Sequence, residues 1–137
     1  MRRSVVREKV VLLTLMLTYT AASLLHFTHN AIYLRDYPNL PGWITSAGVG
    51  AAWLAEATVG VVGYLLYSRN WRPAGLTVIA LYAILGFTAL DHYAVAPMSA
   101  HTLAMNLTIL LEVATASALL IFVASSGWKS ARALTLH

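Results

Sequence analysis

An all-α membrane protein, a bundle of four transmembrane helices, is the fold class this sequence predicts, and three observations predict it. Hydrophobic residues make up 59% of the 137 residues, charged residues only 10%, and mean hydropathy is +0.70, far from the composition of a soluble domain. The apolar residues fall into long runs, each near the roughly 20 residues that a helix needs to cross hydrocarbon. The basic residues sit at the ends of those runs.

The first span is expected over residues 6–34, ending where Arg35-Asp36-Tyr37-Pro38-Asn39-Leu40-Pro41-Gly42 breaks any helix. Tyr37 and Trp43 suit a membrane interface. The second span covers about 44–67, and Gly48, Ala52, Gly60 and Gly63 within it permit close helix approach. Asn70, Trp71 and Pro73 close it, and the third span follows over 74–95. Ala96-Pro97-Met98-Ser99 makes an abrupt turn with Ser99 placed to cap the fourth span, 100–126, which Gly127-Trp128-Lys129 ends. No repeat, linker or low-complexity tract divides the chain, so residues 1–137 form one domain with no room for a soluble catalytic unit. The basic start followed by Val10 to Leu25 also has the shape of a secretory signal peptide. That reading is set aside because the apolar run continues through His26 to Tyr33.

The net charge of +4 has no interleaved aromatic patch and so excludes a nucleic-acid partner. It marks topology: Arg2, Arg3, Arg7 and Lys9 precede the first span, Arg69 and Arg72 fill the second loop, Lys129 and Arg132 follow the last, and only Arg35 falls on the other side. The positive-inside rule then puts both termini in the cytoplasm, as expected for a multi-pass protein of the bacterial inner membrane. Cysteine is absent, which excludes disulfides, thiolate metal sites and cysteine-attached haem.

Seven ionisable residues lie in or at the ends of these spans: His26, His29, Glu56, Asp91, His92, His101 and Glu112. Such groups in hydrocarbon cost several kcal/mol without a partner or a task, so they mark a functional site. Counted at 1.5 Å per residue, the histidines and Asp91 lie near the outer end, with Glu56 and Glu112 roughly 19 Å in. His101, Met105, Thr108, Glu112 and Thr115 form one stripe, Ala22, His26, His29 and Tyr33 another, and Ala52, Glu56, Gly60 and Gly63 a third. Asp91 and His92 are about 100° apart on a helix and cannot both face one centre. Asn106 is an amide within a span and needs a partner. Tyr19, Tyr64, Tyr82 and Tyr93 read as packing or interface aromatics.

Against the bland reading of a structural polar network, three functional readings stand. The favoured one is a metal site, open outward and redox or hydrolytic in use, with ligands among His26, His29, Asp91, His92 and His101. Imidazole and carboxylate without thiolate suit zinc, iron, manganese or copper. The second is acid-base isomerisation or cyclisation of a sterol- or isoprenoid-like lipid from the bilayer, with Glu56 and Glu112 as catalytic acid and base and His26 assisting. The third is a haem b or quinone anchor subunit of an oxidoreductase, with His29 and His92 as the matched axial pair. Ion transport is disfavoured because the polar groups stop short of the cytoplasmic half. The bilayer is the first partner, and the small-residue faces also suit a homodimer or a subunit of a larger complex.

The segments His26-Phe27-Thr28-His29-Asn30, Tyr37-Pro38-Asn39-Leu40-Pro41 and Ala100-His101-Thr102-Leu103-Ala104-Met105-Asn106 resemble those of a group of small four-span bacterial inner-membrane proteins of uncharacterised function, which implies no activity. The layout, with Glu56 followed by Gly60 and Gly63, is similar to DoxX-like membrane proteins, some of which accompany quinone-linked oxidoreductases. The architecture alone is similar to sterol-isomerase-type EXPERA proteins. Neither motif matches residue by residue, so no functional residue is carried over.

Overall fold

The computed structural model describes the backbone over residues 2–135 and the side chains over residues 6–128. Its order is α1 (Arg2–Ile32), α2 (Ser46–Ser68), α3 (Arg72–Leu85), a 3-10 segment (Gly86–Leu90), α4 (Asp91–Val95) and α5 (Leu103–Thr135), and every regular element among the described residues is helical. Four stretches are long and apolar enough to cross a membrane, Val6–Ile32, Ser46–Ser68, Arg72–Val95 and Leu103–Trp128. The protein is a multi-pass membrane protein, and the spans read from sequence agree within three residues at each end. An even number of crossings puts both chain ends on one side, here called the terminal end. The 33–45 and 96–102 connections lie at the opposite, distal end.

Around the bundle the order is α1, α2, α3, α5, with each helix packed on the next and α5 closing on α1. The α2–α3 hairpin is tight for a local reason. Trp71 N–H bonds back to Leu66 O and Arg69 N–H to Leu65 O, while Asn70 takes φ 67°, the left-handed conformation that ends a helix and that Asn tolerates. Pro73 in the first turn of α3 costs no hydrogen bond. Gly75 lets α3 lie against the Tyr67 backbone, since an added Cβ would come within 2.6 Å of Tyr67 Cα.

The terminal half of the interior is an apolar plug of Leu12, Met16, Leu76, Ile79, Ala83, Leu119 and Val123. At that end Arg72 pairs with Glu8 and lies 5.7 Å over the Tyr67 ring. The polar residues occupy the distal half.

Five expectations are corrected. The third span is not one helix, because five residues from Gly86 take the tighter 3-10 winding before α4 resumes. The fourth helix begins at Leu103 rather than Ala100: Met98–Ala100 is a 3-10 turn and His101 is extended. Its cap is therefore Thr102, whose Oγ1 accepts the Met105 N–H at 3.2 Å, and not Ser99. Tyr37 is buried against the bundle and does not line the interface, whereas Trp43 is 80% exposed as an interfacial aromatic should be. Of the α2 small residues, Gly60 and Gly63 are buried in the bundle, while Gly48 and Ala52 face outward.

Candidate functional site

The stripes read from sequence do converge. His26 on α1 is 2% exposed, Glu112 on α5 is 1% exposed, and Glu56 on α2 is 7% exposed. Met105 and Thr108 of the α5 stripe are buried, and Ala22 of the α1 stripe joins them. On α1 the stripe ends there: His29 is half-buried and Tyr33 faces outward.

Two linked groups result. In the deeper one Tyr19 donates to Glu56 Oε1 at 2.5 Å, its oxygen lying 3.2 Å from the Tyr82 carbonyl, and the two rings tilt together at 4.6 Å. Tyr82 OH and Thr20 Oγ1 share a hydrogen bond of 2.8 Å. Gly86 makes room for this: a Cβ there would meet Tyr19 OH at 2.6 Å. Glu112 interacts electrostatically with Glu56 across the interior, and its Oε2 lies 3.8 Å from His26 Nε2.

The outer group is held by Asn30, one turn beyond His26. Its Nδ2 donates to His26 Nε2 at 3.1 Å and to His92 Nε2 at 3.0 Å. The hydrogen bonds assign the imidazole protons. With Thr108 Oγ1 donating to Met105 O, it accepts from His26 Nδ1–H at 3.3 Å. His101 Nδ1 faces the Pro97 carbonyl at 3.1 Å, which can only accept. His26, His92 and His101 therefore all carry the proton on Nδ1.

The rings stack onward: His26 on His92 at 5.3 Å, His92 on His101 at 6.1 Å and Tyr93 on His101 at 5.4 Å. Tyr93 OH donates to Asn106 Oδ1 at 2.8 Å, and Asn106 Nδ2 donates to the Met98 and His101 carbonyls, so that amide finds its partners. Tyr37 roofs the group, with its hydroxyl bonded to His29 Nδ1 at 2.8 Å and its ring 4.8 Å from His92. Burial pushes the Tyr37 phenol up to about 12. Its other side forms part of a cavity of about 760 Å³ at the distal end, with Ile32, Arg35, Leu40, Ile44 and Thr45.

The five residues expected to hold a metal do not form one coordination sphere. Asp91 faces outward, as the 100° offset from His92 requires, and His29 turns to Tyr37. Among the described residues no three of His, Asp and Glu are grouped to hold an ion. The Asn30 amide nitrogen lies where the His26 and His92 lone pairs converge, so an ion there requires that amide to turn away. Of the pair expected to ligate haem, both His29 and His92 have the Tyr37 ring against them, at 5.8 and 4.8 Å.

Reading by residue type missed Asn30, Tyr19 and Tyr37. Asn30 carried a signal, since an amide within a span needs a partner as much as Asn106 does. Searches against protein-family models, curated proteins and solved structures return no match to this chain.

Proposed function

We propose that the bundle is an acid-base site for an apolar molecule taken from the bilayer, an isomerase-type chemistry in which Glu112 and Glu56 exchange protons with the substrate. One observation carries the reading. Glu112 is 1% exposed, and its Oε2 has no hydrogen-bond partner among the described residues although it is 3.8 Å from an imidazole nitrogen. A buried carboxyl group without a bonding partner is a cost that an acid with a task explains.

The balanced step is migration of a double bond. The protonated Glu112 adds its proton to one alkene carbon, and the carboxylate of Glu56 removes the allylic proton from the other side. The substrate is isomerised with no co-reactant, and a proton passes back from Glu56 to Glu112 before the next turnover. Tyr19 fixes the Glu56 carboxylate through its 2.5 Å bond, and Asn30 fixes the His26 ring beside Glu112. Two lipid-facing grooves flank α1 near the level of the carboxyl groups and suit lateral entry. One, of about 220 Å³, includes Thr20, Ala57 and Gly60, and the other, of about 500 Å³, includes Ala22, Leu111 and Thr115.

The same reading takes the terminal end as cytoplasmic, because Arg7, Lys9, Arg69 and Arg72 sit there against Arg35 at the other. The imidazoles then face outward from a bacterial inner membrane.

Purified protein in lipid nanodiscs, incubated in heavy water with a panel of isoprenoid and sterol alkenes, tests the proposal. Deuterium is expected to enter at least one alkene, and Glu112→Gln is expected to abolish this. Equal incorporation by Glu112→Gln, or none from any alkene with the parent protein, would overturn it.

A further inference from the structure

Glu112 Oε2 is not alone. Asn30 Oδ1, His92 Nδ1 and His101 Nε2 are also buried, and none of these atoms has a hydrogen-bond partner among the described residues. Asn30 is 8% and His101 6% exposed. They belong to one contiguous set, since Asn30 bonds to His92, the His92 and His101 rings touch at 6.1 Å, and Asn30 bonds to His26 beside Glu112.

The proton assignment makes this set chemically selective. With Nε2 of His92 accepting from Asn30, its free nitrogen is an N–H donor. With Nδ1 of His101 donating to Pro97, its free nitrogen is a lone pair. Asn30 Oδ1 is a second acceptor. A cation would meet the His92 N–H, and an anion would meet two lone pairs. A hydrocarbon would leave every atom unpaired. A hydroxyl group both accepts and donates, so it is the ligand group whose chemistry would suit the His92 N–H together with the Asn30 or His101 acceptor.

We infer that the ligand of this site is an alcohol, an apolar isoprenoid- or sterol-type molecule whose hydroxyl is held by Asn30, His92 and His101. The inference rests on the acid-base reading for what then happens to the molecule, though the binding claim stands on the unpaired atoms alone. It also divides the labour: the imidazole group fixes the head, and the carboxyl pair beneath faces the carbon chain.

The test is equilibrium binding of farnesol and of the hydrocarbon farnesene to the nanodisc protein, with ¹⁵N spectra of labelled histidine. Farnesol is expected to bind at least about tenfold more tightly, because a site built for a hydroxyl rejects the analogue that lacks it. Farnesol, and not farnesene, is expected to shift the His92 and His101 ring signals. Asn30→Leu and His101→Leu are expected to bring the two affinities to within about twofold of each other. The spectra of the parent protein decide the matter even where a variant does not fold. Equal affinities overturn the inference, as do unmoved ring signals, which would mean the atoms are served by ordered water only. Glu112→Gln separates the two claims. Farnesol preference without deuterium exchange in any protein supports the head-group assignment while the isomerase reading fails. Exchange without farnesol preference overturns the head-group assignment alone.

Discussion

Gly86→Ala probes the deeper carboxyl group without touching a titratable residue. A Cβ at that position would stand 2.6 Å from Tyr19 OH, 2.8 Å from Tyr19 Cε2 and 2.8 Å from Ala116 Cβ. Tyr19 is fully buried and cannot swing away, and Ala116 is fully buried on α5, which packs against α1 and α3. Overpacking of this kind costs about 1–3 kcal/mol. Displacing the hydroxyl also stretches its 2.5 Å bond to Glu56, worth about 1.5–3 kcal/mol for a charged partner. Against this stands a helix-propensity gain of at most about 1 kcal/mol. The net expectation is a destabilisation of about 2–5 kcal/mol. Reversible unfolding in mixed micelles titrated with a denaturing detergent, followed by tryptophan fluorescence, measures it. Gly50→Ala is the control, because nothing lies within 4 Å of its added carbon. In a Tyr19→Phe background the closest contact disappears, and the cost of Gly86→Ala should fall by about 1 kcal/mol. A Gly86→Ala protein within about 0.5 kcal/mol of the parent would refute the packing argument.

Tyr19→Phe alone leaves Glu56 unpartnered in the interior and is expected to cost about 2–3 kcal/mol in the same assay, with part regained in Tyr19→Phe/Glu56→Gln. Asp91→Ala is expected to stay within about 0.5 kcal/mol, because its side chain faces outward; a larger loss would return Asp91 to the site. Tyr37 keeps its proton to about 12 in the folded protein, against 10.0 for a free phenol. Between those values the folded state binds more protons than the unfolded one, so stability falls as pH rises through that window. Tyrosinate absorbance followed against pH should lose one component near 12 in Tyr37→Phe, and with it part of the fall in stability; an unchanged profile would refute the assignment of that component to Tyr37. Arg72→Ala removes a partly exposed ion pair with Glu8 and a ring contact, for about 1 kcal/mol at most.

Period and hydropathy account for the legible part of this molecule. Four apolar runs gave four spans, and the spacing of Met105, Thr108 and Glu112 put the right face of α5 inward. The hidden part depends on backbone detail that composition does not carry. The 3-10 winding after Gly86 and the extended His101 set the approach of His92 and His101, and neither departs from helix in its residue types. Tyr37 stands in a loop rich in helix breakers, where a surface place is the ordinary expectation. Only the return of that loop over the bundle end buries it. The metal expectation weighed residue types and depths, whereas the directions of the imidazole rings depend on Thr108, Pro97 and Asn30, none of them titratable.

The uneven distribution of polarity along the bundle is itself an argument for a task. In a membrane, apolar side chains gain nothing by leaving lipid for one another, and helices associate through packing and hydrogen bonds. The terminal half achieves this with Leu12, Ile79, Leu119 and a close-packed Gly75. Nothing prevents the distal half from doing the same. Instead it holds His26, Asn30, His101 and Glu112 out of contact with solvent and leaves some of their atoms unpaired. A network kept only for helix association would pair its members, since each buried orphan costs about 1–3 kcal/mol. Asn106, Tyr93 and Ser23 are paired in this way. Of the six buried atoms without a partner among the described residues, Tyr67 OH and Arg72 Nε stand at the terminal end, and the other four share the interior with three histidines already oriented by hydrogen bonds, a concentration that packing alone does not call for.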